Sequence, residues 1–457
     1  MKLDPLAGYM TGTCSATAND PAAVKKTIPS SMVGTTKFVG VLNGETVYLE
    51  GGSDWDRKGW NFPNTETAVN AATTTSIRHV MLTNNLGVVI YIVATKLYAV
   101  AFTVGNGGAL TFGTVVTVND ADTGIYPAIC RISDSTYAIG YCDDGGDDYV
   151  CARMGSVSGT TITQGAEQEM TAAAITKDAG MGICQPRSGV IAIGYSNVNS
   201  YGAVVAATFT TVTVGTVGTA VVATGTDAVT YCDIASHMTG YIGLVYADVT
   251  TNYVTLNIGT VSAAAVVAFG GSEEALNAAS ATVIRISSPR TNSLVISWLA
   301  GGDPYLIAGG VLAAALTTFV QGTAVSITTT ATDPCHACLS ATEVVLAYCD
   351  DAHAGDYGHI RRYTIAWAST GAGTLTADSV IDVFCEASVK SAGVGGVSLA
   401  ATTDAEVIAV YEDIGNSNYL TASYGQFLTD IIDIRSAFAS ATYSLWLSPV
   451  YDYVKSN

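Results

Sequence analysis

The stretch Ala138-Ile139-Gly140-Tyr141-Cys142-Asp143 decides the fold, because it is one of seven apolar runs that each close on an aromatic residue. An apolar residue stands two positions before each aromatic, and Asp or Asn stands two positions after five of them. Steps of 50, 54, 51, 52, 50 and 63 residues separate the aromatics, which are Tyr91, Tyr141, Tyr195, Tyr246, Trp298, Tyr348 and Tyr411. This period is too long for helical or leucine-rich repeats and fits four short strands with their turns.

Each repeat contains a predicted hairpin with one further strand on either side. In the second repeat, Ala128–Ile132 precedes the aromatic strand and Tyr149–Met154 follows it, whereas Thr/Val-rich segments such as Thr111–Val118 end the unit. The sequence therefore predicts an all-β fold, a seven-bladed β-propeller of four-stranded antiparallel blades with extended N- and C-terminal arms. The stretch Ser272–Ser280 is expected to form one short helix.

Many predicted strands are apolar on both faces, as expected for blades that stack face to face. Small residues in the aromatic strands would let neighbouring sheets approach closely: Gly140, Gly194, Ser297 and Ala347.

We divide the chain into an N-terminal arm (residues 1–70), the propeller (71–436) and an aromatic C-terminal tail (437–457). The first 36 residues contain three prolines and many small polar residues, which is typical of an extended segment. Within the arm, residues 37–50 contain Asn43-Gly44 between two apolar runs, a strong β-hairpin signal.

Charge and composition exclude several classes of protein. Nineteen basic residues stand against 38 acidic ones, a formal charge of −19, so nucleic acid is not expected as a partner. The longest apolar runs are shorter than the roughly 18–20 residues that cross a bilayer, so no membrane insertion is expected.

The N-terminus has no secretory signal, which predicts synthesis in the cytoplasm. We interpret the cysteines as small buried apolar residues rather than a disulfide framework.

Two acidic loops are candidates for binding calcium, although no other cofactor is expected. Several carboxylates and flexible glycines are what a six- to eight-coordinate ion requires, but neither loop has the EF-hand spacing. The alternative is that Asp and Gly simply form tight, solvated turns. The candidate ligands are Asp143, Asp144, Asp147, Asp148, Asp350, Asp351 and Asp356.

Further aspartates are predicted to share one face of the ring with these loops, because hairpin loops and connections between blades lie on the same side. Such an acidic rim would bind cations, amines or a basic protein patch. The alternative is that these residues terminate strands. The candidate binding face comprises Asp122, Asp178, Asp227, Asp248, Asp333 and Asp413.

No catalytic residue is predicted. The motif Cys335-His336-Ala337-Cys338 stands alone and falls where other repeats place a buried strand, so it is read as structural. His79 and His237 have no nucleophile beside them in the sequence. The signatures of Trp-Asp, kelch and sialidase propellers are missing, so the resemblance is to the propeller architecture and not to an enzymatic branch.

An acidic propeller rich in Gly, Ala and Thr, with an extended N-terminal arm and an aromatic tail, is similar in layout to bacteriophage virion proteins of the tail, fibre or decoration type. The resemblance implies a non-enzymatic structural or adhesion protein of the virion, whose arms attach it to the particle and whose propeller face binds the host surface or neighbouring subunits. Its partners would be other virion proteins, copies of itself, and host-surface glycans or proteins. The alternative is a carbohydrate-binding or glycan-cleaving propeller that uses the acidic hairpin face.

Overall fold

The computed structural model describes residues 38–42, 45–49, 59–62, 66–119, 124–143, 148–171, 180–223, 228–270, 273–277, 281–312, 318–327, 330–350, 357–378, 381–385, 396–403, 405–413 and 419–428. The chain forms two compact units, one of residues 1–61 with 427–457 and one of residues 62–426. In the first unit, strands β1 (Phe38–Leu42) and β2 (Glu45–Leu49) pair antiparallel, and β3 spans Gly59–Asn61. Residues 1–37, 43–44, 50–58 and 63–65 of the predicted N-terminal arm and the whole predicted C-terminal tail lie outside the described residues, and residues 67–70 of the arm belong to the first strand of the second unit.

The second unit contains the seven sequence repeats, which we number 1 to 7. The strands of repeats 1 to 3 are β4 (Thr67–Thr83), β5 (Leu86–Val93), β6 (Lys96–Val104), β7 (Leu110–Phe112), β8 (Val116–Thr117), β9 (Gly124–Ser133), β10 (Thr136–Asp143), β11 (Tyr149–Ser158), β12 (Thr161–Glu169), β13 (Gly182–Arg187), β14 (Val190–Ser196), β15 (Gly202–Thr210), β16 (Thr213–Val217) and β17 (Val221–Val222). Repeats 1, 2 and 3 begin at β4, β9 and β13.

The strands of repeats 4 to 7 are β18 (Val229–Met238), β19 (Tyr241–Asp248), β20 (Tyr253–Val261), β21 (Val267–Phe269), β22 (Glu274–Asn277), β23 (Ala281–Ser287), β24 (Ser293–Ala300), β25 (Asp303–Val311), β26 (Phe319–Gln321), β27 (Val325–Ser326), β28 (Ala331–Ser340), β29 (Glu343–Asp350), β30 (Tyr357–Trp367), β31 (Gly373–Ala377), β32 (Asp382–Cys385), β33 (Val397–Thr403), β34 (Glu406–Asp413) and β35 (Tyr419–Leu428). These repeats begin at β18, β23, β28 and β33. A 3-10 turn at Asn106–Gly108 is the only helical element among the described residues.

Each repeat is an antiparallel meander in which the aromatic strand is the second strand. Repeat 2 is a four-stranded sheet in the order β12-β11-β10-β9, and in repeat 3 the fourth strand consists of two short pieces, β16 and β17, that both pair with β15. The prediction of an all-β fold built from four-stranded antiparallel sheets is confirmed.

The first strands of successive repeats contact one another in a closed series, from β4 through β9, β13, β18, β23, β28 and β33 back to β4. Strand β4 joins the two ends of this series, because Thr67–Thr73 pairs with β35 and Thr74–Thr83 pairs with β5. Further pairing between β25 and β31 joins repeats 5 and 6 into one sheet. The count of seven blades stays a prediction, which the closed series favours.

A β-bulge faces the repeated aromatic in five repeats. In repeat 1, Thr75 pairs with Ile92 and Arg78 with Ile90, so two residues face the single residue Tyr91. One residue of each bulge has a φ of 48–52°, which is uncommon for residues other than glycine: Ser76, Tyr126, Tyr231, Val283 and Asp333. Because an extra residue shifts the strand, the bulge redirects the side chains that follow it.

Close packing between repeats explains the small residues of the aromatic strands. A Cβ atom built on Gly140 would lie 3.1 Å from Ile193 Cδ1, and one on Gly194 would lie 2.6 Å from Leu244 Cδ1. All seven repeated aromatics are buried. Sheets of neighbouring repeats therefore touch where the sequence places glycine.

The helix expected over Ser272–Ser280 is wrong in its described part. Glu274–Asn277 forms strand β22 and pairs with β20. Leu276 is buried in the core that repeats 4 and 5 share, so tertiary packing overrides the local helical preference.

Seven of the nine described cysteines are buried, as expected for small apolar residues. Within the described part of the chain, no helix has the length and apolar character to cross a membrane.

Candidate functional site

A cavity of about 640 Å³ lies between the outer part of repeat 2 and the hairpin end of repeat 3. Repeat 2 contributes the end of β12 and the residues that follow it, and repeat 3 contributes the ends of β14 and β15 and the segment around β17. The described lining residues are Gln168, Glu169, Met170, Thr171, Tyr195, Asn197, Val198, Ala203, Val217, Gly218, Thr219, Ala220 and Val222. We call this space the Tyr195 cavity.

Tyr195 supplies a hydroxyl group to the cavity from the aromatic strand of repeat 3. Its ring is packed into the protein, with only 3% of the residue exposed, and burial raises its pKa to about 12. No described residue forms a hydrogen bond with the hydroxyl. A neutral phenol thus lines the cavity, able to donate one hydrogen bond and to accept another.

The equivalent tyrosines of three other repeats lie beside a glutamate that is in, or directly before, the strand that pairs on the outer side of the repeat. Tyr141 donates a hydrogen bond to Glu167, and Tyr411 donates one to Glu66 at 2.7 Å. In repeat 4, burial and then Glu273 raise the pKa of the Tyr246 hydroxyl.

Repeat 3 has alanine where these repeats have glutamate. In repeat 2, Tyr141 pairs with Cys151, and Cys151 pairs in turn with Glu169 of the next strand; these three residues form a row across the sheet. Glu167 stands two positions before Glu169, and the glutamates of the other two repeats stand in the same relation to their own rows. In repeat 3 that row holds Val222, which places Ala220 at the position of the glutamate. An exposed alanine therefore leaves open the space that a carboxylate fills elsewhere.

The rest of the lining combines polar groups with exposed apolar surface. Val198 is 58% exposed and Val222 is 43% exposed. Asn197 shapes the hairpin loop, because its Oδ1 accepts hydrogen bonds from the amides of Asn199 at 2.9 Å and Tyr201 at 3.1 Å. Among the described lining residues, Glu169 is the only one with a formal charge.

The predicted calcium ligands are only partly described. Asp144, Asp147, Asp351 and Asp356 lie outside the described residues. Asp143 ends β10, half-buried, and Asp148 precedes β11 with a φ of 54°. Asp350 is buried at the end of β29, with a carboxylate oxygen 3.7 Å from His359 Nε2. His359 lies in strand β30, opposite Tyr348.

One described group brings together ligand atoms suited to a metal. Atoms of Asp143, Cys151 and Glu167 lie within 4.8 Å of one another. Burial, followed by Glu167, raises the pKa of Cys151, which keeps the thiol protonated, and Glu167 already accepts the hydrogen bond from Tyr141. A protonated thiol is a poor ligand for calcium, which prefers oxygen, so this group does not fit the ion. Calcium in the loops stays a prediction.

The predicted acidic binding face is also partly described, and its described members are buried. Asp122, Asp178 and Asp227 lie outside the described residues. Asp248 accepts hydrogen bonds from the Thr250 amide at 2.7 Å and the Thr251 hydroxyl at 2.6 Å, which is the turn-forming role. Asp413 ends β34, and Asp333 belongs to the bulge of β28. Their part in a binding face stays a prediction.

Tyr195 is recognisable in the sequence as one of the repeated aromatics, but the cavity beside it is not. The signal was present: glutamate follows the aromatic after 26 residues in repeat 2 and 27 in repeat 4, whereas the equivalent position of repeat 3 is Ala220. Recognising it requires the pairing of the outer strands, which the sequence alone does not give.

No family model and no curated protein matches the sequence. Solved structures similar to this chain include β-propeller lectins. A structure of AofleA from Arthrobotrys oligospora is 10% identical, with 69% of this chain and 90% of that chain covered and a TM-score of 0.40. Aleuria aurantia lectin in complex with Fucalpha1-6GlcNAc is 11% identical, with 67% and 95% covered and a TM-score of 0.39.

A hypothetical selenium-binding protein from Sulfolobus tokodaii is 10% identical, with 75% of this chain and 84% of that chain covered and a TM-score of 0.46. All of these TM-scores are below 0.5, so we take nothing about ligands from these structures.

Proposed function

We propose that this protein is a non-enzymatic, carbohydrate-binding β-propeller and that the Tyr195 cavity holds a neutral sugar. The observation that carries the proposal is the Tyr195 hydroxyl, which faces an open cavity because Ala220 replaces the glutamate of other repeats. A buried polar group in a preformed cavity selects ligands that can pair with it, and a sugar hydroxyl both donates and accepts.

The mixed lining supports a sugar over other small ligands. Gln168, Thr171 and Thr219 bring amide and hydroxyl groups to the wall, and Val198 and Val222 offer apolar surface to the C–H faces of a sugar ring. The volume of about 640 Å³ lies in the usual range of small-ligand sites.

Charge supports neutral glycans over anionic ones. Glu169 is the only charged residue in the described lining, and the chain as a whole carries a formal charge of −19. A carboxylate or sulfate on the ligand would meet repulsion without a basic partner. The same lining has a single carboxylate, whereas glycoside hydrolysis ordinarily requires two, which supports binding without cleavage.

The test is glycan binding by two variants that make the same chemical change in equivalent strands. Tyr195→Phe removes the hydroxyl that faces the cavity, and Tyr246→Phe removes one that lies beside Glu273. Losing one hydrogen bond of about 0.5–1.5 kcal/mol predicts a roughly two- to tenfold weaker affinity for Tyr195→Phe and little change for Tyr246→Phe.

Affinity should first be sought on an array of neutral and sialylated glycans and then measured by calorimetry. Binding of no glycan by the parent protein, or equal effects of the two variants, would contradict the proposal. A preference for sialylated over neutral glycans would contradict the charge argument.

The virion role inferred from composition and layout is compatible with glycan binding, since adhesion to a host surface needs such a site. It stays a prediction, and residues 1–36 and 437–457, two of the segments expected to attach the protein to a particle, lie outside the described residues. Deleting residues 1–36 should leave a folded propeller that no longer incorporates into particles. Normal incorporation of that deletion would remove the attachment role.

A further inference from the structure

A second cavity, of about 370 Å³, lies between the first strands of the repeats in the second unit and is separate from the Tyr195 cavity. We call it the axial cavity. One residue of each first strand pairs with the residue before the repeated aromatic, so these seven residues are equivalent in register. They are Arg78, Ala128, Gly182, Asp233, Arg285, Cys335 and Ser398.

The composition of this row is unusual for so acidic a protein. It contains two arginines and one aspartate, and the other four residues are small. Because the other side chains of the row are short, the two arginine side chains are the ones long enough to extend into the cavity. Arg78, Asp233 and Arg285 are each only partly buried, so solvent reaches this space.

Asp233 is fixed at the wall by backbone amides. Its Oδ1 accepts a hydrogen bond from the Ile234 amide at 2.9 Å, and its Oδ2 accepts one from the Ile286 amide at 3.0 Å. A Cβ atom built on Gly182 would lie 2.2 Å from Asp233 Oδ1, so the carboxylate lies in the space that this glycine leaves empty.

Most N–H donors of the two guanidinium groups form no hydrogen bond with a described residue. Each donates one hydrogen bond of 2.7 Å to the carbonyl of the preceding residue, Arg78 to Ile77 and Arg285 to Ile284. A guanidinium has five N–H donors, and no carboxylate of a described residue lies within 4.0 Å of either group.

The positive charge of Arg285 also acts on Arg78. Burial and then Arg285 lower the pKa of Arg78 to about 9, which leaves it charged at neutral pH. Cys335 lies near both, since burial raises its pKa to about 12 while Arg285 and Arg78 oppose that rise. Two carboxylates act on Arg78, that of Asp233 at the wall and that of Asp333, but neither lies within ion-pair distance of a guanidinium group, so most of the donors of Arg78 and Arg285 remain available to an anion.

We propose that the axial cavity binds a small oxyanion, a phosphate or a carboxylate group, between the guanidinium groups of Arg78 and Arg285. Guanidinium donors match the paired oxygens of both groups. Ser398 and Cys335 stand in the same row and leave room beside the ligand. This site does not depend on the proposed sugar site, and the two can fail separately.

The test is calorimetry of the full-length protein at neutral pH, with sodium phosphate and sodium acetate as separate probes against a chloride background of constant ionic strength. Arg78→Met and Arg285→Met are each expected to weaken binding of the better probe about tenfold or more, the loss of a charged hydrogen bond. The matched control is Arg290→Met, because Arg290 is exposed and lies 4.1 Å over the ring of Trp367.

A third variant shifts affinity in the opposite direction. Asp233→Asn removes the negative charge of the row and is expected to tighten anion binding several-fold, which a merely structural role would not produce.

Absence of binding of both probes by the parent protein would overturn the proposal, and this measurement requires no variant to fold. Equal affinities of the parent and either arginine variant would also overturn it. Phosphate binding without acetate binding would indicate a phosphate ligand, and the reverse a carboxylate.

Discussion

Replacing Gly194 with valine tests whether neighbouring repeats stack as closely as described. A Cβ atom at this position would lie 2.6 Å from Leu244 Cδ1 and 3.2 Å from Ile234 Cβ. Carbon atoms in contact prefer about 3.5–4.0 Å. The Leu244 side chain is fully buried and can turn away only into a packed core, and Ile234 Cβ is fixed to the backbone of the next repeat.

Overpacking of this kind costs about 1–3 kcal/mol, and valine, which adds two further carbons, should fall in the upper half of that range. Replacing glycine in a strand returns about 0.5–1 kcal/mol, so we expect a net loss of roughly 1–2 kcal/mol of unfolding free energy. The melting temperature should fall by a few degrees.

The matched control is Gly270→Val, because a Cβ atom there has nothing within 4 Å and the backbone has no positive φ. It should change stability by no more than about 0.5 kcal/mol. Combining Gly194→Val with Leu244→Ala should cost less than the two changes separately, by about 0.5–3 kcal/mol, since the truncated side chain makes room for valine. Equal melting temperatures for the Gly194 and Gly270 variants would refute close stacking of repeats 3 and 4.

Three further outcomes are expected. Ala220→Glu, which restores the residue of repeats 2, 4 and 7, should pair with the Tyr195 hydroxyl and abolish glycan binding without unfolding; retained binding would show that the ligand does not use this space. Burial lowers the pKa of His336 to about 3, so as the pH falls below about 6.5 the unfolded chain takes up a proton first and stability is lost. By pH 5 this amounts to about 2 kcal/mol, and thermal melts of His336→Gln should lose less over that interval; an unchanged slope would contradict this cause. If the acidic loops hold calcium, a chelator should lower the melting temperature, and an unchanged value would remove calcium from them.

The repeat architecture could be predicted from the sequence because its signal is local. Each repeated aromatic ends an apolar run, so its strand and the following hairpin can be placed without knowing any distant contact. Ala138-Ile139-Gly140-Tyr141 and strand β10 illustrate this agreement.

The bulges and the two cavities could not be predicted in this way. The bulge residues with positive φ include Val283 and Tyr126, residue types that give no local indication of that conformation. The Tyr195 cavity depends on which residue of a distant strand faces the tyrosine. Arg78 and Arg285 are 207 residues apart in the chain, and only the closed series of first strands brings them to one cavity.

The most direct test of the proposed sugar site is a crystal structure of the protein with the neutral glycan that binds it best. We expect a sugar in the Tyr195 cavity, with one of its hydroxyl groups within hydrogen-bond distance of the Tyr195 Oη atom and no ligand contact through Glu167 or Glu273. A sugar bound elsewhere on the propeller, with this cavity filled only by solvent, would contradict it.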